Sequence, residues 1–309
     1  MDRFHKILVF SFAVLLSGVL PVYARSEWQP DRKELAGPLY FLSSPLLEGR
    51  GAGEHGGRVA SEYIASMMMM YGLKPAGDNA GWFQNIPDMK VDGKTISCRN
   101  VLGMVRGIDT TRYVVIGAHY DHLGMRNDSI FTGANDNASG VSGMLALAKR
   151  WSSRNTLPPC NLIFASWDAE EAGYLGSQYF VDHFAPGITS VLFYLNMDMI
   201  SRSAPEDMLR NILDVGFLAG RTDIKAIAER SNIASGARLV LDFWETRGDG
   251  ESDYVRFAGN NIPVLTFYAG LSEGYHTPAD TRDKIDWEKM SRVVELANGC
   301  IERFLKTLR

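Results

Sequence analysis

The chain has 309 residues, 46% of them apolar and 22% charged, so it can bury a large core and is too apolar to be intrinsically disordered. Lysine and arginine total 32 against 36 acidic residues, which gives a formal charge of -4. This acidic balance argues against binding that depends on neutralising phosphates, and we therefore expect no nucleic-acid partner.

The first 24 residues have the pattern of a secretory signal peptide. Arg3 and Lys6 precede an apolar run over residues 7–16, and the triplet that ends at Ala24 resembles a small-residue cleavage site. The run is short for a membrane span, which needs about 20 apolar residues. We expect cleavage after Ala24, export to the periplasm or the medium, and no stable membrane span in the remaining chain.

Cysteine usage excludes two kinds of scaffold. Cys98, Cys160 and Cys300 show no C-x-x-C spacing, so neither a cysteine-based zinc ribbon nor a disulfide-rich mini-protein is expected. At most one intrachain disulfide can form. Cys98 and Cys160 both precede predicted strands, and they are the expected pair if one forms.

Helical and strand patterns alternate along the chain after two initial helices. In chain order the sequence predicts helices 31–43 and 58–71, strands 101–105 and 113–118, helix 139–151, strand 162–167, helix 176–184, strand 191–195, helix 223–230, strands 238–243 and 264–268, and helix 287–305. This alternation predicts one α/β domain over residues 25–309, a three-layer sandwich around a mixed, largely parallel sheet. The active site should lie at the carboxyl ends of the strands.

Two short motifs lack the structural context that their chemistry requires. Residues 51–56 match the dinucleotide pattern G-x-G-x-x-G, but two serines and a proline precede them where a strand is needed, so a tight turn is predicted. Residues 270–274 match the G-x-S-x-G elbow of serine hydrolases, but a proline interrupts any following helix, and the only later histidine is His276. We expect neither a nucleotide site nor a serine nucleophile.

Five groups of acidic residues and histidines lie at predicted strand ends or in the loops that follow. Each alone has an ordinary structural explanation, such as a helix cap or a solvated turn. A parallel sheet brings the carboxyl ends of its strands to one edge, where these five side chains could converge: His119, Asp136, Glu171, Asp198 and His276. Two imidazoles and three carboxylates suit Zn²⁺ and fit two ions that share a carboxylate and a water. Glu170 is then available as a general base.

These motifs resemble those of the secreted dizinc aminopeptidases of the leucine aminopeptidase and aminopeptidase Y type. The resemblance extends from about residue 35 to the end and is carried by residues 117–124, 133–140, 170–173, 196–198 and 275–278. It implies that His119 and Asp198 bind one zinc ion and that Glu171 and His276 bind the other. Asp136 would bridge the two ions.

The resemblance also implies roles for three residues that bind no metal. Glu170 would be the general base, Tyr275 a hydroxyl donor to the oxyanion, and Asp121 a partner that holds the His119 ring. The peptide bond between Asp136 and Asn137 would be cis. The implied reaction is hydrolysis of the N-terminal residue from peptides with a free N-terminus, by a water that two zinc ions activate.

Two features differ from that family. Residues 86–100 are too short to hold the protease-associated domain that larger relatives insert before the first histidine motif. Tyr254 follows Ser252 and Asp253 where many relatives carry a histidine. His122 lies next to the first motif, but the sequence gives it no ligand role.

Two other functions remain open on this scaffold. The related glutaminyl cyclases use one zinc ion and act on an N-terminal glutamine, although residues 137–140 and Tyr275 favour the peptidase. A catalytically inactive binding module is the other, although the ligands and the base are all present. Neither the preferred first residue of a substrate nor the oligomeric state follows from the sequence. Trp244 with Phe243, and Tyr268, could line an apolar pocket or pack in the core.

Overall fold

The computed structural model of the protein describes residues 28–91 and 93–308. The predicted signal peptide lies outside the described residues. Within residues 28–91 and 93–308, no helix is both long enough and apolar enough to cross a membrane.

Every helix and strand predicted from the sequence is present, with ends that differ by a few residues. The helices are α1 (Arg32–Leu42), α2 (His55–Met70), α3 (Gly140–Ser152), α4 (Leu175–His183), α5 (Thr222–Ser235), α6 (Tyr254–Ala258) and α7 (Trp287–Lys306). The strands are β1 (Lys74–Pro75), β2 (Phe83–Val91), β3 (Lys94–Val105), β4 (Asp109–His119), β5 (Met125–Arg126), β6 (Ser129–Ile130), β7 (Cys160–Trp167), β8 (Val191–Asp198), β9 (Ile212–Leu218), β10 (Val240–Thr246) and β11 (Val264–Tyr268).

In the described part of the chain, nine strands form one mixed sheet. Their order is β1-β3-β7-β4-β8-β11-β9-β10, with β2 paired to β3. The four central strands β7, β4, β8 and β11 are mutually parallel. Strand β3 is antiparallel to β7 on one side, and β9 is antiparallel to β11 on the other. The predicted mixed sheet is confirmed, with its parallel part at the centre.

Apolar side chains from alternate positions of the central strands enter two separate cores. Val114 and Ile116 of β4 pack in the core that contains α1, α2, α3, α5 and α7, whereas Val115 packs in the core that contains α4 and α6. This follows from the two-residue period of a strand, which points successive side chains to opposite faces. The three-layer sandwich is therefore confirmed.

The segments that match the G-x-G-x-x-G and G-x-S-x-G patterns adopt the conformations that the sequence predicts for them. A turn at Ala52 and Gly53 joins a short 3₁₀ segment (Pro45–Arg50) to α2, and Gly53 has a φ of 70°, which glycine adopts without strain. No strand precedes this turn among the described residues 28–50. The segment after β11 continues as turns through residues 270–279, with no helix there to complete a serine-hydrolase elbow.

Cys98 and Cys160, the expected pair if a disulfide forms, are not paired in the structure. All three cysteines lie within the described residues, and each is a buried free thiol. The antiparallel register pairs Val101 with Ser166 and Val105 with Leu162, so Cys98 and Cys160 lie at opposite ends of the β3–β7 ladder. At about 3.4 Å per residue, they are much too far apart for the Cα separation that a disulfide allows.

Strand β9 is one of the elements that the sequence patterns did not predict. Its apolar residues are buried on both faces, so they do not alternate with polar ones in the manner that identifies a half-buried strand. Gly216 at its centre weakens the pattern further. The structure shows why glycine is needed there, because a Cβ atom would lie 2.4 Å from the Trp244 ring of β10.

Candidate metal and catalytic site

The central parallel strands bring the predicted chemical groups to one edge of the sheet. His119 is the last residue of β4 and Asp198 the last of β8, and these two strands are parallel neighbours. Glu170 and Glu171 follow the end of β7, and His276 lies in the loop after β11. Because these strands point the same way, all of these side chains converge at their carboxyl ends.

Asp136 reaches the site from an irregular helical turn (Ala134–Ser139) that precedes α3. The peptide bond from Asp136 to Asn137 is cis, as the family resemblance implied. The Asp280 carboxylate accepts hydrogen bonds from the backbone N–H groups of Asn135 and Asp136, both at 3.0 Å. The turn is therefore fixed by a buried side chain far away in the sequence.

The two asparagines on either side of Asp136 attach its loop to the chain around Asp198. Asn135 Oδ1 accepts hydrogen bonds from the backbone N–H and the hydroxyl of Ser201, at 3.1 and 2.7 Å. Asn137 donates to the carbonyl oxygen of Met197 at 3.0 Å and accepts from the N–H of Met199 at 3.2 Å. The spacing between the Asp136 and Asp198 carboxylates is therefore set by amide hydrogen bonds.

The structure brings together all five residues predicted to bind metal. His119 Nε2 lies 3.4 Å from Asp136 Oδ1 and 3.3 Å from Asp198 Oδ1. His276 Nε2 lies 3.1 Å from Asp136 Oδ2 and 3.2 Å from Glu171 Oε2. The two oxygens of Asp136 thus face two different groups, which is the arrangement that a bridging carboxylate requires.

His122 is a sixth residue at this centre, although the sequence assigns it no ligand role. Its Nδ1 lies 2.7 Å from Glu171 Oε1 and 3.6 Å from Asp136 Oδ2. Two triplets have ligand atoms within 4.8 Å of one another: His119 with Asp136 and Asp198, and His122 with Asp136 and Glu171. Its position three residues after His119, beyond a strand end, was the only signal in the sequence. The burial of His122 and its contact with Glu171 depend on the fold, so the sequence does not reveal them.

Asp121 fixes the segment that carries the two glutamates. Its Oδ1 accepts a hydrogen bond from the N–H of Glu170 at 3.0 Å, and its Oδ2 accepts from the N–H of Glu171 at 3.3 Å. The His119 ring, which Asp121 was predicted to hold, has its Nδ1 3.7 Å from Asp121 Oδ1 and 3.3 Å from the Asp121 carbonyl oxygen. Only the second distance is within hydrogen-bonding range, so the carbonyl is the contact that orients this ring.

A chain of hydrogen bonds connects Asp198 to the aromatic core. Trp167 Nε1 donates to the Tyr194 hydroxyl at 2.8 Å, and that hydroxyl donates to Asn196 Oδ1 at 2.6 Å. Asn196 Nδ2 in turn donates to the Ser252 hydroxyl at 3.0 Å, which donates to Asp198 Oδ2 at 2.7 Å. One oxygen of Asp198 is thereby held, and the other faces His119.

The site is strongly anionic, and this shifts the pKa values of its groups. Burial, together with Asp198, Asp253 and Glu171, raises the pKa of Glu170 well above its usual value, against the effect of His119. Burial would also raise the pKa of Asp136, but contacts with three histidines hold it well below its usual range. Such an excess of negative charge favours the binding of cations.

A cavity of about 440 Å³ is lined at one end by four of the five candidate ligands, His119, Asp136, Asp198 and His276. The other walls are Met199, Trp244, Tyr254, Tyr268, Leu271 and Tyr275, together with Asp214 and Glu251. Trp244 and Tyr268 therefore line the cavity, whereas the adjacent Phe243 packs against the core. Tyr254, which replaces the histidine of many relatives, forms part of the wall, and its hydroxyl accepts from the N–H of Glu251 at 3.3 Å.

Arg50 is a fully buried cation behind the site that sequence reasoning did not identify. Its guanidinium donates to the carbonyl oxygens of Tyr120 at 2.8 Å, Thr132 at 2.7 Å and Gly133 at 2.9 Å, and also to that of Leu42. Burial lowers its pKa to about 10, against the opposing effect of nearby carboxylates, so it remains charged at neutral pH. It joins the loops that carry His119, His122 and Asp136.

Comparison with known proteins identifies the family. Residues 100–300 match the model of peptidase family M28, and the chain belongs to that family. Leupeptin-inactivating enzyme 1 of Streptomyces exfoliatus is 28% identical over 278 residues, which cover 87% of this chain and 58% of the relative. Aminopeptidase YwaD of Bacillus subtilis is 29% identical over 220 residues, which cover 67% of this chain and 45% of the relative. The chain spans about half the length of these curated relatives.

Solved structures share the fold. A zinc aminopeptidase from Bacillus subtilis matches with a TM-score of 0.72 at 18% identity, over 89% of this chain and 95% of that one. A leucine aminopeptidase precursor from Bacteroides thetaiotaomicron matches with a TM-score of 0.70 at 18% identity, over 89% and 97% of the two chains. The family resemblance drawn from the motifs is confirmed.

Replacing Arg50 with Met should destabilise the protein severely. The change leaves four buried carbonyl oxygens without their donor and removes a positive charge from an acidic environment, a loss of about 3–5 kcal/mol. Urea unfolding followed by circular dichroism measures this free energy. The exposed Arg106→Met variant is the control and should change stability by no more than about 0.5 kcal/mol. Equal effects of the two substitutions would show that the Arg50 contacts contribute little.

Proposed function

We propose that this protein is a zinc-dependent aminopeptidase that removes the N-terminal residue from peptides. The observation that carries the proposal is the convergence of two histidines, His119 and His276, and two carboxylates, Asp198 and Glu171, around Asp136, with Glu170 beside them. The names of relatives and structural neighbours, among them an aminopeptidase and a zinc aminopeptidase, support it.

The residues of the site fit two zinc ions. Imidazole nitrogens and carboxylate oxygens are the donors that Zn²⁺ prefers, and His119 with Asp198 would hold one ion. Glu171 with His276 would hold the other, and Asp136 would contribute one oxygen to each. When bound, the ions supply Lewis-acid polarisation of the scissile carbonyl and lower the pKa of the attacking water.

Glu170 is placed to move protons in this reaction. Its carboxylate lines the cavity, and its Oε2 lies 4.0 Å from His119 Nε2. The Glu170 carboxylate can accept a proton from water and later give that proton to the leaving amine. The hydrogen bond from its backbone N–H to Asp121 keeps it in position.

Tyr275 is placed to stabilise the oxyanion. Its ring stacks on the His276 ring with centroids 3.7 Å apart, and its side chain lines the cavity. Burial, together with the surrounding carboxylates, raises the pKa of its hydroxyl, so the group stays protonated and can donate a hydrogen bond. The same carboxylates would attract the ammonium group of a free N-terminus.

Peptides that differ only in the first residue test this function. The purified protein should release single N-terminal residues from peptides that begin with Leu, Ala, Lys, Arg or Gln, and a chelator should abolish the release because the ligands need their metal. Mass spectrometry of the products measures both effects. Loss of ammonia from the Gln peptide alone would instead show a cyclase, and zinc binding without any product would point to a binding module.

Glu170→Gln should lower kcat by about 10²- to 10⁴-fold, because the amide cannot accept the proton from water. Zinc content, measured by atomic emission, should stay at the wild-type value because Glu170 is not one of the proposed ligands. Glu229→Gln, an exposed substitution on α5, is the matched control and should leave kcat unchanged. A fully active Glu170→Gln enzyme would show that Glu170 is not the general base.

His122→Ala should weaken the binding of one zinc ion by about 10- to 100-fold, as is typical when a partner of a metal-binding carboxylate is lost. The reason is that Glu171 loses the imidazole that lies 2.7 Å from its Oε1. Competition with a fluorescent chelator measures the two zinc affinities separately. The exposed His183→Ala variant serves as the control. Unchanged affinity at both sites would show that His122 does not support the second ion.

A further inference from the structure

The cavity extends away from the candidate metal ligands along one row of the sheet. Strand register pairs Asp198 of β8 with Tyr268 of β11, and Tyr268 with Asp214 of β9. Partner residues on neighbouring strands point to the same face, and strands lie about 4.8 Å apart, so Asp214 is about 10 Å from Asp198 across the sheet. Asp198, Tyr268 and Asp214 all line the cavity.

Aromatic side chains line the same cavity as Asp214. Trp244 of β10 lies over Gly216 of β9, where no Cβ atom blocks the indole. Tyr254 packs edge-on against Trp244, with ring centroids 5.4 Å apart. Tyr268 completes this lining from β11. A long, unbranched aliphatic stem would lie against these rings and exclude water.

The carboxylate of Asp214 has no partner of its own. Among the described residues, no hydrogen bond or ion pair is found for this half-buried side chain, although its neighbours are well bonded. Burial raises its pKa, as do Asp242 and other nearby carboxylates. Lys289 acts in the opposite direction, but its ammonium donates to the Asp207 carboxylate at 3.1 Å and to the Ala269 carbonyl oxygen at 3.0 Å.

The cavity contains no protein cation that could neutralise Asp214. Among the described residues that line it, none is lysine or arginine, and its two histidines are candidate metal ligands at the opposite end. Glu251 adds a second carboxylate at the exposed rim. A half-buried carboxylate without a counterion is stabilised when a cation reaches it.

We propose that this cavity selects peptides whose first residue is lysine or arginine, with Asp214 as the residue that determines the preference. This inference rests on the proposed aminopeptidase function. With the N-terminal ammonium and the first carbonyl at the metal end, the long stem of lysine or arginine can span the distance to Asp214. The stem packs against Trp244 and Tyr268, and the cationic end pairs with the carboxylate. A leucine side chain is too short to reach Asp214.

The first test uses the unaltered protein and two peptides that differ only in charge. Norleucine has an unbranched apolar side chain like the stem of lysine but lacks the ammonium group. We expect kcat/KM for the lysine peptide to exceed that for the norleucine peptide by about 10- to 100-fold, the range of a charge-assisted hydrogen bond. Equal or better cleavage of the norleucine peptide would overturn the proposal.

The second test removes the charge of Asp214. In Asp214→Asn, the ratio of kcat/KM for lysine over norleucine should fall by about 10- to 100-fold, mainly through KM for the lysine peptide. Asp242→Asn is the matched control, because Asp242 is the register partner of Asp214 on β10 but is exposed and lies outside the cavity. That control should keep the wild-type ratio.

The outcomes separate the two proposals. If the protein cleaves no peptide of any kind in the presence of zinc, the aminopeptidase function fails and the preference fails with it. If peptides are cleaved with norleucine or leucine favoured over lysine, the function stands and only the role of Asp214 is overturned. If Asp214→Asn does not fold, the comparison of lysine with norleucine on the wild-type protein still decides the question.

Discussion

The parallel pairing of β4 with β8 is the constraint on which the site depends. It sets Gly117 opposite Asn196, so His119 and Asp198 end neighbouring strands with their ligand atoms 3.3 Å apart. Strand β7 lies beside β4 in the same direction and adds the glutamates. A shift of one residue in any of these registers would turn the groups to the opposite face of the sheet.

Converging so many carboxylates at one edge has an electrostatic cost that the surrounding structure has to offset. Asp168 and Asp253 are fully buried near the site, and burial raises the pKa of each to about 7. Backbone N–H groups stabilise Asp121 and Asp280, and Arg50 supplies a buried positive charge. The negative charge that remains is compatible with a centre that holds divalent cations.

The two ends of the cavity differ in what their carboxylates contact. Near one end, Asp136 and Glu171 lie within about 3 Å of histidine nitrogens, a grouping of donors that is suited to a metal. At the other end, Asp214 has an aromatic approach and no ligand partner, so its charge is directed at whatever enters. Strand β9 lies beside β11, antiparallel to it, and places Asp214 in the cavity wall, where we propose that it selects the first residue of a substrate.

The amino-acid sequence alone predicts most of the helices and strands, the α/β class, and the five candidate ligands with Glu170, because local periodicity and residue chemistry carry that information. Only the folded chain shows what surrounds His122, Arg50 and Asp214. Each of them has its neighbours far away in the sequence. His122 contacts Glu171, and Arg50 donates hydrogen bonds to the Thr132 and Gly133 carbonyl oxygens. Asp214 lines the same cavity as Trp244. The expected pairing of Cys98 with Cys160 has the same origin, because the spacing of residues along a chain does not reveal strand register.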